Sequence, residues 1–170
     1  MISKAHGFAR LVTDRCVLRK FSADDMEALL GAVNSPDIML WLGRAKEADV
    51  CEIRELINAG PTDSLVSFAV ADKSTDELLG HVWLSKKDGE LWTLCYWIHP
   101  AHAGLGFATE AVSVVCKFTF ESLGVSQIRA LIHPANPKSR RVVEKCGFLK
   151  NRRDTEMGFW VLANPMPESV

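Results

Sequence analysis

The sequence predicts an α+β fold, in which an antiparallel meander of strands joins a βαβ unit and helices flank the mixed sheet. Three apolar stretches, Leu65 to Ala71, Leu78 to Ser85 and Leu91 to His99, follow one another in the middle of the chain. Turns containing Asp72, Asp76 and Asp88-Gly89 separate them, which favours antiparallel pairing. The third stretch leads into a long apolar helix and then another strand, an order that predicts a parallel pair.

Length and charge set the first limits on function. The chain has 170 residues, of which 48% are hydrophobic and 24% are charged, as in ordinary globular proteins. We therefore expect a single domain spanning residues 1 to 170. The formal net charge of −1 provides no strong overall attraction to nucleic acid or to an anionic membrane, so neither is an expected partner.

The first part of the chain predicts one strand and three helices. Ser22 and Asp25 have the spacing of a weak capping box at the start of the first helix. Ser35-Pro36 restarts a short helix, because proline is well placed at a first helical position. The predicted elements are a strand at Arg15 to Lys20, a helix through Met26 to Val33, a short helix after Ser35, and a helix from Glu47 to Ile57 that ends before Gly60-Pro61.

The last part of the chain completes the βαβ unit. Thr109 to Leu123 is apolar on nearly every face, which indicates a helix buried against the sheet. A strand follows at Ile128 to Ile132. Asn136-Pro137 is a good helix start and Gly147 a good stop. Phe159 to Leu162 is predicted as the final strand.

Cysteine usage indicates the compartment. The five cysteines lie far apart and mostly within apolar stretches: Cys16, Cys51, Cys95, Cys116 and Cys146. The chain starts without a secretory pattern and holds no apolar run long enough to span a bilayer. We therefore expect reduced thiols in a cytoplasmic protein.

A glycine-rich turn is the most informative local feature. The segment HPAHAGLGFATEA, His99 to Ala111, runs from a strand into the apolar helix. Gly104 and Gly106 carry no Cβ, so backbone N–H groups can approach a ligand closely. The helix start adds unpaired N–H groups and the positive end of its dipole, a combination suited to phosphate. No Gly-Lys-Ser or Gly-Lys-Thr follows, so the turn is not a P-loop.

Three segments together carry a family resemblance: YWIHPAHAGLGFATEA from Tyr96, IRALIHPANPKSRRVVEKCGF from Ile128 and LVTDRCVLRKFSADDMEALL from Leu11. Their order resembles the GNAT superfamily of acyl-CoA-dependent N-acyltransferases. Within it the sequence is most similar to the branch that includes the ribosomal-protein N-terminal acetyltransferases. The resemblance implies a GNAT-like mixed sheet and acetyl-CoA as cosubstrate.

The resemblance also implies where acetyl-CoA binds. Its diphosphate would rest on backbone N–H groups of the turn, which belong to Leu105, Gly106, Phe107, Ala108 and Thr109. The pantetheine arm would lie beside the strand that ends at Trp97 and Ile98, as an added strand would. The N–H near Ile98 could then polarise the thioester carbonyl. The family usually has Arg or Gln where this chain has Ala103, which predicts weaker binding.

Asn136 and Ser139 are the candidates on the leaving-group side. Asn136 could cap its helix, contact pantetheine, or do both. In the related enzymes the serine that matches Ser139 lies near the thioester sulfur, so Ser139 is our candidate for protonating the departing thiolate. Other family members use a tyrosine one turn later, where this chain has Val143. Water could also supply this proton, because a free thiol titrates near ~8.5.

The residue expected to act as general base is absent from its usual position, and several substitutes are available. Many members of the branch carry a glutamate where this chain has Thr93, and threonine cannot serve. The substitutes are Glu90, His81 and Glu156, with ordered water as a further route. His81 titrates in a useful range, although a lone strand histidine is more often structural.

These observations predict an acetyl-CoA-dependent N-acetyltransferase acting by direct transfer to a primary amine, such as a protein N-terminus, in a ternary complex. Alternatives are acetylation of a polyamine or aminoglycoside, and a non-catalytic acyl-CoA-binding sensor. We expect no metal, because the histidines lack a fourth clustered ligand. The acceptor wall is assigned to the loop Asp37 to Gly43 and the outer face of the Thr93 strand. Trp41, Trp83 and Trp92 are candidates for this wall, although large aromatic side chains are more often part of the core. Association as a homodimer is left open.

Overall fold

One mixed sheet organises the molecule, and helices cover both of its faces. The computed structural model describes residues 10–86, 91–151 and 158–164. The strands are β1 (Leu11–Val12), β2 (Cys16–Arg19), β3 (Leu65–Asp72), β4 (Leu78–Ser85), β5 (Trp92–Ile98), β6 (Gln127–Ile132), β7 (Leu149–Lys150) and β8 (Gly158–Ala163). The helices are α1 (Met26–Val33), α2 (Pro36–Leu42), α3 (Val50–Asn58), α4 (Phe107–Leu123) and α5 (Pro137–Lys145).

The order of the strands across the sheet is β1-β2-β3-β4-β5-β6-β8-β7. The meander β3-β4-β5 is antiparallel, as the sequence predicts. β5 and β6 are parallel and α4 connects them, which confirms the βαβ unit. The α+β class is therefore confirmed, with the one parallel pair of the described sheet lying between β5 and β6.

The two faces of the sheet hold separate apolar clusters, because successive side chains of a strand point to opposite faces. On one face Leu94 and Ile128 pack with Val112 of α4 and Val143 of α5. We call this the α4 face. On the other, Trp97 packs with helices α1 to α3, and we call this the α1 face. This alternation places Thr93 and Cys95 on the α1 face, and Tyr96 and Ile98 on the α4 face.

Several boundaries differ from the predicted ones for local reasons. Helix α4 begins at Phe107 rather than Thr109, directly after Gly106 in the left-handed conformation. Helix α3 begins at Val50 rather than Glu47, because the Asp49 side chain accepts a hydrogen bond from the Glu52 N–H at 2.9 Å and caps the helix. The two-residue strands β1 and β7 were not predicted. The predicted turn at Asp88-Gly89 lies outside the described residues.

Two predicted caps are confirmed. The Asp25 carboxylate accepts from the Ser22 N–H at 2.8 Å, and a 3-10 turn at Ala23–Asp25 leads into α1. The Asn136 side chain accepts from the Ser139 N–H at 3.0 Å and starts α5. Among the helices that the structure describes, none is both long and apolar enough to cross a membrane.

Candidate active site

β5 and β6 separate partway along their length and form a fork. Their pairing runs from Trp92 opposite Ile128 to Leu94 opposite Ala130. Beyond this point β5 continues to Ile98 and β6 to Ile132, with no further rung between the two strands in the described sheet. The edge of β5 that faces the fork therefore offers main-chain groups to a ligand with amides of its own, in the manner of an added strand.

The direction of the β5 main-chain groups follows from one hydrogen bond. The N–H of His99, directly after β5, donates to the carbonyl of Leu79 in β4 at 2.8 Å. Because N–H and C=O groups alternate between the two edges of a strand, Trp97 also faces β4, whereas Tyr96 and Ile98 face the fork. The Trp97 carbonyl indeed lies against Gly80 of β4. The Ile98 N–H thus faces the fork, whereas Trp97 turns its main chain away from it. The role of the Ile98 N–H in polarising the thioester carbonyl stays a prediction.

The glycine turn lies just beyond the end of β5. Gly104 has a φ of 81° and Gly106 a φ of 91°, values that L side chains rarely adopt. Gly106 is also the N-cap of the 17-residue helix α4. The N–H groups of its first turn, including those of Phe107, Ala108 and Thr109, precede the intrahelical hydrogen bonds and sit at the positive end of the dipole. This arrangement suits a phosphate or diphosphate.

Arg15, directly before β2, contacts this turn from a distant part of the chain. Its Nη1 donates to the Leu105 carbonyl at 2.9 Å, and its guanidinium carbon lies 4.6 Å from the centre of the Phe107 ring. Its Nε and main-chain N–H donate to the Glu110 carboxylate at 2.9 and 2.8 Å. Thr13 donates to the same carboxylate. Sequence reasoning missed Arg15, because 90 residues separate it from Leu105.

The start of α5 is tied to β5 across the fork. The Tyr96 hydroxyl donates to the Ser139 carbonyl at 3.0 Å, and burial raises the pKa of Tyr96 well above its usual value. The buried Asn136 caps the same helical turn. Ser139, a predicted site residue, is half-buried there. Val143, one turn later, is fully buried and points into the core.

His81 lies inside the α1 face rather than in the fork. Its ring is buried, stacks on Trp83 with 4.4 Å between ring centres, and shares a 2.8 Å hydrogen bond between Nε2 and the Ser67 hydroxyl. Burial lowers its pKa to about 3, so His81 is neutral and a very weak base near pH 7. Its environment is that of a core histidine. The other base candidates, Glu90 and Glu156, lie outside the described residues.

Thr93 occupies the last paired part of β5, on the α1 face. Its hydroxyl accepts a hydrogen bond from the Arg129 Nε of β6 at 2.6 Å. Cys95 follows on the same face. Burial raises the pKa of the Cys95 thiol, which therefore stays protonated and is a poor nucleophile. Within residues 10–86, 91–151 and 158–164, no group of three or more His, Cys, Asp or Glu side chains could hold a metal ion.

Helix α2 covers the fork on the α1 face. Ile38 packs in the cluster that contains Trp97 of β5, and the Trp41 ring lies 5.9 Å from the ring of His133, just after β6. Trp41 thus lies beside the end of β6, and its place in the acceptor wall stays a prediction. Trp92 does not belong to this wall, because its side chain is buried on the opposite α4 face, where β-strand alternation directs it. Trp83 is half-buried and stacks on His81.

A free strand edge beside a turn suited to phosphate, on a sheet that forks, is the arrangement expected of an acyltransferase that binds a CoA thioester. The family model for the acetyltransferase (GNAT) domain matches residues 15–149. The chain belongs to this family, and it is an acetyl-CoA-dependent N-acetyltransferase.

The relatives agree with this assignment. The chain is 29% identical over 146 residues to an uncharacterized N-acetyltransferase, p20, of Bacillus licheniformis, covering 82% of each chain. Two solved structures from Vibrio cholerae share 22% sequence identity and a TM-score of 0.75 with it. One is a putative ribosomal-protein-serine acetyltransferase, for which 92% of this chain and 98% of that chain are covered. The other is a spermidine N-acetyltransferase in complex with CoA and spermine, with 89% and 96% covered.

Proposed function

We propose that the protein acetylates the primary amine of a protein or peptide N-terminus, with acetyl-CoA and acceptor bound together at the fork. The observation that carries the proposal is the position of the fork between two different walls. On the α4 face lie the glycine turn and the start of α5. On the α1 face α2 covers the opening, with Trp41 beside His133. Two ligands can therefore meet from opposite faces, which supplies rate through orientation.

Main-chain groups hold the cosubstrate in this proposal. The N–H groups of Leu105, Gly106, Phe107, Ala108 and Thr109 bind the diphosphate. Tyr96 and Ile98 pair with the pantetheine amides, since their main-chain groups face the fork. The Trp97 side chain shapes the α1 face. When bound, acetyl-CoA supplies an activated acetyl group, and the Ile98 N–H donates to its carbonyl oxygen as negative charge develops there.

The first turn of α5 serves the leaving group. As the acceptor nitrogen forms its bond to the acetyl carbon and the carbon–sulfur bond breaks, the sulfur leaves with the electron pair. Ser139 donates a hydrogen bond or proton to it, and Asn136 and Tyr96 fix the turn that carries Ser139. Water returns the proton to Ser139.

The acceptor must lose a proton before it attacks, and the described residues restrict the choice of base. His81 is unsuited, because its pKa of about 3 is far below that of an amine. Glu90, in the segment that precedes β5, stays the protein-derived candidate, and ordered water is the alternative route. The five free thiols fit a reducing, cytoplasmic compartment. A homodimer also stays a prediction.

The pairing of Asp25 with Arg19 favours an N-terminal acceptor over a polycation. Asp24, Asp25 and Glu27 form a weak acidic grouping that could attract a polyamine. Asp25, however, is 4% exposed and its oxygens accept from the Arg19 guanidinium at 2.7 and 3.0 Å. Burial raises the pKa of Asp25, but the bonds from Arg19 and Ser22 outweigh it and lower the pKa overall. Its charge is thus already paired. The ribosomal-protein-type neighbour points the same way.

A polyamine is the second candidate, favoured by the structural neighbour that binds spermine. The deciding assay measures release of free CoA thiol with acetyl-CoA and each of three acceptor sets: N-terminal peptides, polyamines and aminoglycosides. We expect turnover with peptides at the lowest KM. Turnover with spermidine alone would replace the first candidate by the second. Calorimetric binding of acetyl-CoA without turnover on any acceptor would indicate a sensor.

A further inference from the structure

We propose that Arg15 is a positioning residue, which fixes the Leu105–Gly106 peptide and so keeps the glycine turn in its anion-binding conformation. This inference rests on the proposed role of the turn in binding the diphosphate. Arg15 lies in the turn between β1 and β2 and is 90 residues away in sequence from the carbonyl that it contacts.

The first step is the geometry of one peptide plane. The Arg15 Nη1 holds the Leu105 carbonyl at 2.9 Å. The peptide is trans, so the Gly106 N–H points in the direction opposite to that carbonyl. Arg15 lies on one side of Gly106, with its Nη2 3.1 Å from the position that a Cβ would take. The hydrogen bond therefore directs the Gly106 N–H away from Arg15, toward the side left for an anion.

The second step is the ease with which this peptide could rotate. A glycine accepts positive and negative φ almost equally well, and Gly106 follows the peptide directly. A rotated plane would turn the Leu105 carbonyl oxygen toward the bound diphosphate and withdraw an N–H donor. A hydrogen bond from an N–H group to the diphosphate would thus be replaced by repulsion between the carbonyl oxygen and the diphosphate. A turn of this kind gains from an external hydrogen bond that favours one of the two orientations.

The third step is the rigidity of Arg15 itself. Its Nε, Nη2 and main-chain N–H all contact the Glu110 carboxylate, and its guanidinium stacks on Phe107. Burial raises the pKa of Glu110, but the bonds from Thr13 and Arg15 outweigh it and lower the pKa overall, so the carboxylate is ionised near pH 7. The pair has no net charge. Arg15 thus acts through the peptide that it orients and not as an added phosphate ligand.

The test compares Arg15→Met with Arg44→Met. Arg44 is a matched control, because it also forms a two-pronged bond to a glutamate, Glu52, at 2.6 and 3.0 Å, in the segment after α2. Each variant is assayed with acetyl-CoA and with acetyl-pantetheine, which lacks the diphosphate. Loss of a hydrogen bond to a charged donor predicts a KM for acetyl-CoA about tenfold to a hundredfold higher in Arg15→Met. Its kcat/KM for acetyl-pantetheine should stay within about twofold of wild type, and Arg44→Met should match wild type with both.

Two further variants separate the orientation of the Leu105–Gly106 peptide from a general stabilisation of the fold by Arg15. Glu110→Gln weakens the ion pair but leaves the bond to Leu105, so it should raise the KM for acetyl-CoA less than Arg15→Met. Arg15→Lys keeps a charge but cannot hold Leu105 and Glu110 together, and should fall between wild type and Arg15→Met. If Arg15→Met does not fold, Arg15→Lys decides.

Wild-type affinity for acetyl-CoA in Arg15→Met, or in Arg15→Lys where the first cannot be made, would overturn the proposal. An equal loss of kcat/KM with acetyl-pantetheine would also overturn the proposal, since a general stabilisation of the fold by Arg15 would then explain the effect. Failure of the wild-type protein to bind acetyl-CoA would instead contradict the proposed function.

Discussion

The two walls of the fork differ in the kind of group that they present to a ligand. In the proposed function the cosubstrate meets main-chain groups of the glycine turn and of β5 on the α4 face. The acceptor would meet side chains on the α1 face, among them Trp41 beside His133. A main-chain wall depends on conformation, so any side chain that allows the conformation is tolerated. A side-chain wall depends on the identity of each residue. Substitutions should therefore affect the two walls in different ways.

The largest expected effect is that of Gly106→Val on the main-chain wall. Gly106 has a φ of 91°, and a Cβ would meet Arg15 Nη2 at 3.1 Å. Both the strain and the contact should distort the turn and weaken acetyl-CoA binding about a hundredfold or more. Calorimetric titration with acetyl-CoA measures this. Gly124→Val is the control, because Gly124 also has a positive φ of 61° but lies in open space at the far end of α4.

The second effect concerns the leaving group. Ser139→Ala should lower kcat about tenfold to a hundredfold, with the KM for acetyl-CoA nearly unchanged. This loss is at or below the usual contribution of a general acid, about 10²–10⁴-fold, because water can also protonate the thiolate. Ser113→Ala on α4 is the control, because Ser113 is exposed and its hydroxyl lies 3.4 Å from the Cys146 sulfur, away from the first turn of α5. A rise in KM without a fall in kcat would make Ser139 a binding residue.

Trp41→Ala tests the side-chain wall on the α1 face. Trp41 is 44% exposed and contacts His133 across the fork. Its removal should raise the KM for the acceptor several-fold and leave the KM for acetyl-CoA as it is, because aromatic contacts typically contribute about 1 kcal/mol. Val50→Ala at the start of α3, also 44% exposed but outside the predicted acceptor wall, is the control. Equal effects of the two variants would remove Trp41 from the wall.

Tyr96→Phe tests the connection between β5 and α5 and should have a smaller effect. It removes the hydroxyl that donates to the Ser139 carbonyl and preserves the packing of the ring. A net hydrogen bond is worth about 1 kcal/mol, so we expect kcat to fall about fivefold. In the double variant with Ser139→Ala the losses should be less than additive. Full additivity would show that Tyr96 does not act through Ser139.

The smallest effect on activity, and a clear one on stability, should come from His81. Its pKa is about 3 in the fold and about 6.5 when unfolded. Between these values the unfolded chain binds more protons, so the free energy of unfolding falls as the pH drops below 6.5. His81→Gln should flatten that slope, by up to about 1.4 kcal/mol per pH unit between 6.5 and 4.5. Denaturant titrations at several pH values measure it. An unchanged slope would contradict the buried, neutral state of His81.

The sequence allowed prediction of those parts of the site that depend on local conformation. Gly104 and Gly106 mark a turn because few other residues accept its dihedral angles, and Asn136 marks a helix start because its side chain caps it. The meander and the βαβ unit followed from the order of apolar segments. The strands β1 and β7 have two residues each, too few for a periodic pattern.

Parts that depend on register or on distant contacts could not be predicted. Whether Trp97 or Ile98 turns its main chain to the fork is decided by pairing with β4, and a shift of one residue would reverse the answer. The contact of Arg15 with Leu105 joins residues far apart in sequence. The burial of His81 depends on Trp83 and Phe21, which reach it from β4 itself and from the segment after β2.

The most decisive measurement is a crystal structure of the protein with acetyl-CoA bound. We expect diphosphate oxygens about 2.7–3.2 Å from main-chain nitrogens of residues 105–109, and the acetyl carbonyl oxygen at the Ile98 N–H. We also expect the Leu105 carbonyl to keep its hydrogen bond from Arg15. A diphosphate bound elsewhere on the protein, or a fork filled by the protein's own side chains, would contradict this placement of acetyl-CoA.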